Sequence, residues 1–279
     1  MSTYLRPTDL GEALAALAQA RLTVLAGGTD YYPARVGKPV DDDILDISAI
    51  ASLRGIRDEG GHWRIGATTT WSDLVAATLP PLFDGLKLAA REIGGEQIQN
   101  AGTVAGNVCN ASPAADGVPP LLALDARVEI ADAAGSTGVA LAEFILGNRK
   151  TSLRPDQLLT AILVPKPAHA ARSTFLKLGA REYLVVSIVI VAATLEVEAG
   201  RVRAARVAVG AASAVAQRLP LLEAALIGQR CDARLGEHAR TEHLAALAPI
   251  DDVRASREYR MDAALTLARR VLNHIGAQA

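Results

Sequence analysis

The segment Ala26-Gly27-Gly28-Thr29-Asp30-Tyr31 directly follows a short apolar run at 22–26. Two glycines after a strand let the backbone turn tightly. Consecutive N–H groups in such a turn form a concave anion site, to which Thr29 adds a hydroxyl donor. A second segment, Gly102-Thr103-Val104-Ala105-Gly106-Asn107, is again built from small residues and short polar side chains, and it runs on through Cys109, Asn110 and Ser112 to Asp116. Small residues leave backbone amides uncovered, and Asp116 is an acceptor suited to the hydroxyls of a ribose or ribityl chain. Each segment also has an ordinary reading: the first as a strand-ending turn, the second as an Ω-loop or a run of turns held by its own Asn and Ser contacts. Neither has the glycine spacing of a dinucleotide fingerprint or the lysine of a Walker loop. Two anion-friendly loops in one domain would clasp a bulky diphosphate from two sides.

Other residues with chemical potential fall away on spacing. His238 and His243 are five apart, whereas a metalloprotease helix needs two histidines four apart on one face. Cys109 has no histidine near it in sequence and reads as a small buried packing residue. No Gly-x-Ser-x-Gly elbow supports serine hydrolysis. Asp41-Asp42-Asp43 reads as a solvated turn. Arg201, Arg203 and Arg206 sit near-alternately on an expected strand, as a wet face or subunit contact, without the aromatic interleaving of a single-strand nucleic-acid site.

The elements that must position the two loops follow from periodicity and punctuation. A helix is expected over 9–20, with Thr8 as a possible N-cap and Leu10, Leu14 and Leu17 at helical spacing. Strands are expected at 22–26, 44–46 and 63–67, then a helix capped by Thr70 or Ser72 that reaches about Thr78 before Pro80-Pro81. A helical pattern over 83–93 leads into a glycine- and proline-rich stretch at 94–120. Its length marks a functional loop, and Ile98, Val104 and Val108 argue that it is ordered. Strand character resumes at 121–130 and again at 158–164.

Pro165 and Pro167 mark the best domain boundary. Beyond it, strands are expected at 175–178, 184–195 and 203–209, followed by helices at 219–226, 239–247 and 256–273. Strands followed by helices make this an α+β unit. The division is therefore 1–167, with subdomains of about 1–56 and 57–167, and then 168–279.

Composition excludes several classes. The 279 residues are half apolar, with 29 basic and 30 acidic side chains and a net charge of −1, so no global field points to nucleic acid or anionic lipid. The longest apolar run, 183–195, is too short for a membrane span of ~20 residues, and no signal-like segment opens the chain. Cys109 and Cys231 are the two cysteines and cannot hold an iron–sulfur cluster between them. A cytoplasmic globular protein is expected.

The sequence resembles the flavoprotein (medium) subunits of the molybdenum hydroxylases, such as those of carbon monoxide dehydrogenase and the flavin segment of xanthine dehydrogenase. AGGTDYYP at 26–33 looks like the first pyrophosphate loop of that family, and QIQNAGTVAGNVCNASPAADGVPPLLALDA at 97–126 like its second flavin loop. GNRKTSL at 147–153 and LKLGAR at 176–181 match two later stretches. The resemblance covers essentially the whole chain. It implies an α+β fold: a two-subdomain FAD-binding domain of the PCMH type, then an α+β C-terminal domain with a small antiparallel sheet and helices. It implies that Ala26, Gly27, Gly28, Thr29, Asp30 and Tyr31, with Gly102, Thr103, Val104, Ala105, Gly106 and Asn107, hold the FAD diphosphate. Asp116 would bond a ribityl or ribose hydroxyl, and Lys177 would lie near the flavin. No catalytic side chain and no metal ligand is implied.

Departures from the family pattern sharpen these expectations. Ala105 stands where a glycine is frequent, which is tolerated if φ there is negative. Gln99 replaces a frequent arginine. Tyr183 and Leu184 replace an acidic pair beside the flavin. By resemblance, the chain is an electron-transfer subunit that takes electrons from a small 2Fe-2S chain, fed by a large molybdenum-cofactor chain, in a dimer of heterotrimers. The loss of the acidic pair favours a quinone, oxygen or protein carrier over NAD as acceptor. The alternatives are a stand-alone flavin reductase or oxidase, and an assembly module that has lost its flavin.

Overall fold

The computed structural model describes every residue except Met1, Lys38, Val40, Tyr183 and Ala279. Among the described residues, three sheets of three to five strands, one two-stranded hairpin and their covering helices build the chain. The first is parallel, in the order β1 (Tyr4–Leu5), β3 (Ile44–Asp46), β2 (Thr23–Leu25). Helix α1 (Leu10–Gln19) crosses over between β1 and β2 and buries Ala13 and Leu17 against Leu45, Ile47 and Ile50. Its N-cap is Asp9 rather than Thr8: the Asp9 carboxylate accepts from the N–H of Gly11 at 2.7 Å and of Glu12 at 3.3 Å, satisfying two donors that lack intrahelical partners.

The second sheet is antiparallel, in the order β4 (Ile56–Asp58), β5 (His62–Gly66), β10 (Leu158–Pro165), β6 (Arg127–Asp132), β7 (Gly135–Ala140). Helices α2 (Trp71–Ala76), α3 (Asp84–Glu92), α4 (Glu96–Ala101), α5 (Val104–Asn110) and α6 (Val118–Ala123) intervene between β5 and β6. Thr70 caps α2 in a full capping box with Asp73. Short α7 (Leu141–Phe144) and the hairpin β8 (Ile145–Gly147)–β9 (Lys150–Thr151) complete this part.

The third sheet, β11 (Ala170–Leu178), β12 (Val189–Glu198), β13 (Arg201–Gly210) and β14 (Gln217–Arg218), is wholly antiparallel. Helices α8 (Pro220–Leu226) and α9 (Arg257–Gly276) cover one face. The two faces of β12 divide the core, as period-2 alternation requires. Val189, Val191, Ala193 and Leu195 pack under α9, while Ile190 and Ala192 join the large core around Trp71, Phe83 and Leu121.

Several sequence expectations are corrected. The stretch 94–120 is not irregular: α4, α5 and the start of α6 lie inside it, each of six or seven residues and too short to show a full apolar period. The expected strand at 121–130 is the end of α6 followed by β6 from Arg127. A 3-10 turn at Thr241–Leu244 replaces the expected helix at 239–247, just after another at Leu235–His238. Cys109 is exposed rather than buried, because Val104 and Val108 take the core-facing stripe of α5. Asp42 is no solvated spacer: it accepts from Tyr31 Oη at 2.8 Å and Arg35 Nη2 at 2.5 Å. Arg206 is not on a wet face; it pairs with Glu196 at 2.9 Å and with Asp125 of the preceding unit.

Near the C-terminus, Arg260 is 3% exposed and anchors α9. Nη1 donates to the carbonyls of Ile188 at 2.6 Å and Ala211 at 3.0 Å, and Nη2 to Asp252 Oδ1 at 2.6 Å. The backbone N–H of Arg254 and the Arg260 guanidinium hold the Asp252 carboxyl down at about 2. A carboxyl whose folded pKa is depressed contributes stability above its ordinary range and loses it as the pH falls toward the folded value. Asp252→Asn is therefore expected to cost roughly 2 kcal/mol at pH 7, since it leaves a buried guanidinium unpaired beside a partly exposed site. Urea denaturation at a series of pH values checks this: the gap between wild type and variant closes as the pH falls from about 4 to about 2.

Candidate functional site

The first loop leaves β2 and turns at Gly28, whose φ is +68°. A Cβ on Gly28 would lie 2.8 Å from the Tyr32 ring, and one on Gly27 would lie 2.0 Å from the Ala101 carbonyl oxygen and 3.0 Å from Gly102 Cα. The glycines here thus do two jobs: one supplies the left-handed turn, the other lets one backbone touch another. Thr29 Oγ1 lies beside Gly102, 3.3 Å from where its Cβ would be. The first loop therefore rests directly on the second.

The second loop is fixed from below. Trp71 N–H donates to the Gly102 carbonyl at 3.1 Å, and Val104 N–H to the Thr69 carbonyl at 3.0 Å. Thr103 caps α5 by accepting from Gly106 N–H at 2.9 Å. Among the described residues, the N–H groups of Gly27, Gly28, Thr29, Asp30 and Tyr31, with those of Thr103 and Ala105, donate to no protein acceptor. Asn107 Oδ1 is buried without a partner. Ala105 sits in the first turn of α5 and is not among the positive-φ residues, so its methyl is accommodated. Gln99 turns away to the Arg91 carbonyl at 3.1 Å.

Asp116 and Lys177 meet. Lys177 Nζ lies 3.0 Å from Asp116 Oδ2, and it also donates to the Glu92 carbonyl at 3.2 Å, with the Glu92 carboxylate 3.7 Å away. Both side chains are at least nine-tenths buried. Burial pushes the Asp116 carboxyl up, opposed by Lys177 and by the Ser187 hydroxyl, which donates to Oδ1 at 2.6 Å. Sequence reasoning found Asp116 and Lys177 singly but neither their pairing nor Ser187, because no local pattern links positions 61 and 71 residues apart.

The cluster adjoins the second loop. A Cβ on Gly117, the residue after Asp116, would stand 2.9 Å from Asn107 Oδ1. Lys177 and Glu92 also line a cavity of about 440 Å³, together with Leu88, Phe175, Leu178 and Arg181 among others. Tyr183, which with Leu184 replaces the family's acidic pair, lies outside the described residues. Leu184 beside it has φ +52° and is exposed. Among the described residues no group of His, Cys, Asp and Glu is placed to hold a metal ion, and no helix is long and apolar enough to cross a membrane.

Comparison with known proteins decides the family. Residues 1–167 match the FAD binding domain in molybdopterin dehydrogenase, and residues 174–275 the CO dehydrogenase flavoprotein C-terminal domain. The chain belongs to the FAD-binding subunits of the molybdenum hydroxylases. It is 32% identical to a putative xanthine dehydrogenase FAD-binding subunit of Escherichia coli strain K12, over 100% of this chain and 97% of that protein. It is 30% identical to the carbon monoxide dehydrogenase medium chain of Afipia carboxidovorans, over 99% and 97% of the two. A chain of reconstituted CO dehydrogenase from Oligotropha carboxidovorans superposes with a TM-score of 0.90 at 27% identity, covering 100% of this chain and 99% of that one. The fold class is that of the medium subunit of CO dehydrogenase, and the cofactor is FAD.

In this FAD-binding subunit the contact between the loops is a backbone contact, so it cannot be relieved by a rotamer change. Gly27→Ala is expected to destabilise the chain by about 1–3 kcal/mol, as overpacking against a rigid neighbour does. Thermal denaturation of the purified variant, compared with Gly61→Ala as a second glycine change with nothing within 4 Å of its Cβ and no positive φ, checks it.

Proposed function

We propose that the chain is the electron-transfer subunit of its complex, taking electrons from iron–sulfur clusters on a small partner chain and passing them to an external acceptor. In this reading a large partner carries the molybdenum cofactor, and the assembly is a dimer of heterotrimers. Residues 1–167 form the flavin domain and 168–279 the domain laid against it. The observation that carries the reading is the pair of touching loops with their unused N–H donors.

The residues present suit FAD. Within the loop Ala26, Gly27, Gly28, Thr29, Asp30 and Tyr31, the amides from Gly27 to Tyr31 form a free row, with the Tyr32 ring packed beside Gly28. Gly102, Thr103, Val104, Ala105, Gly106 and Asn107 offer further free amides at Thr103 and Ala105. Such a concave array of N–H dipoles matches a diphosphate without needing a cationic side chain. Asp116 accepts from Lys177 and Ser187, yet a carboxylate has about four lone-pair sites, so room remains for one ribityl or ribose hydroxyl. Lys177 uses two of its three N–H donors among the described residues and keeps one for an acceptor atom of the cofactor.

When bound, the flavin collects and releases electrons singly or in pairs, and that redox chemistry is the cofactor's own. The protein's part is to hold, orient and shield. The free amides set the position of the diphosphate. The Lys177 ammonium, compensated by Asp116, sets a fixed charge pattern beside the cofactor. This needs no side-chain acid or base.

Gly28→Val tests the placement. A β-branched residue at φ +68°, with the Tyr32 ring 2.8 Å from its Cβ, is expected to cut flavin content several-fold while the chain stays folded. Flavin absorbance per chain reads it, and wild-type content in a folded variant would refute the placement.

The acceptor is tested on the native complex. The missing acidic pair at 183 and 184 removes negative charge near the cofactor, so turnover with a quinone, oxygen or protein carrier is expected to exceed turnover with NAD. Steady-state assays with each acceptor decide, and saturable, efficient NAD reduction overturns the expectation.

A further inference from the structure

Ser187 belongs to no motif, yet it is 2% exposed and its hydroxyl reaches Asp116 Oδ1 at 2.6 Å. Its neighbours come from separate parts of the fold. Glu92 ends α3, Asp116 lies between α5 and α6, Lys177 is on β11, and Ser187 closes the connection from β11 to β12. The hydrogen bond therefore ties the end of the segment 179–187 to the flavin domain, while Lys177 ties its beginning. Between these anchors the segment leans on the Gly94-Gly95 turn through Leu184, whose Cδ2 is 3.8 Å from the position a Gly95 Cβ would take.

We propose that Ser187 is a positioning residue for electron transfer, holding the Asp116 carboxylate against the Lys177 ammonium and thereby fixing the charge beside the flavin. The proposal rests on the flavin lying next to Lys177, as argued above. A buried carboxylate oxygen stripped of its donor is left unsatisfied, at the cost of its desolvation. Two responses are open to it: taking up a proton, or pulling away from the core. Either leaves the ammonium facing the cofactor with only the part-exposed Glu92 carboxylate, 3.7 Å away, to offset it. Positive charge next to a group that gains electrons stabilises the reduced form, so the flavin's midpoint potential rises.

The experiment is a potentiometric titration of the flavin in the purified FAD-containing complex, comparing wild type with Ser187→Ala, Ser187→Thr and Lys177→Met. Ser187→Ala is expected to shift the reduced-to-oxidised ratio at a given potential about tenfold toward reduced, which is about 30 mV for a two-electron couple. Ser187→Thr keeps the hydroxyl and is expected to restore most of the wild-type value. Lys177→Met removes the positive charge and is expected to shift the potential the other way. Should the alanine variant fail to retain flavin, Ser187→Cys keeps the volume, weakens the donor and carries the same measurement. An unchanged potential in Ser187→Ala, with a shifted one in Lys177→Met, overturns the role of Ser187 alone. No shift in Lys177→Met overturns the placement of the flavin and the proposal with it.

Discussion

The constraint on which the candidate site depends is the approach of Gly27 to the Ala101 carbonyl, where any side chain would occupy space already filled by backbone. It joins a loop from the first sheet to a loop of the helical layer over the second. Because the contact is main chain to main chain, both loops are held by their own hydrogen bonds, and their N–H groups point where no protein acceptor lies. Trp71 extends the constraint inward: its N–H holds the Gly102 carbonyl while its ring fills the core and abuts Gly117. The amide array, the Asp116 cluster and the large core are therefore parts of one packed unit, and a shift in one is transmitted to the others.

A second level of order joins the domains. On β12 the residues facing the flavin domain change from apolar to polar along the strand: Ile190 and Ala192 in the core, then Thr194 and Glu196 at the edge of a cavity of about 340 Å³ beside the linker. Glu196 accepts from the N–H groups of Ala168 at 3.1 Å and His169 at 3.2 Å, which pins the chain as it leaves the proline pair. The alternation that makes β12 a strand also allots its two faces to two cores.

Much of this was legible in residue types. The glycine pair after β2, the capping residue Thr70, and the strands at 44–46 and 158–164 follow from local rules and stand where those rules put them. The family resemblance rested on the second loop, whose small residues are those the free amides require. What was not legible is tertiary. Helices of six or seven residues carry too little periodicity to be read, so α4, α5 and α6 hid inside an apparent loop. The hydrogen bond of Ser187 to Asp116, and that of Arg206 to Asp125, depend on how two domains meet, which no local window contains.

The pairs at that meeting form a chain of alternating charge. Glu196 binds Arg206, Arg206 binds Asp125, Asp125 binds Arg218, and Arg218 binds Glu223, so that each inner member is shared by two partners of opposite sign. Glu196 and Glu223 at its ends are largely shielded from solvent. Counter-ions screen exposed pairs beyond about 10 Å at 0.1 M salt, but reach partly buried ones far less. Asp125, the member of this chain contributed by residues 1–167, has a side chain that is 39% exposed, so added salt weakens the run of pairs first at the link between the domains and least at its shielded ends, Glu196 and Glu223.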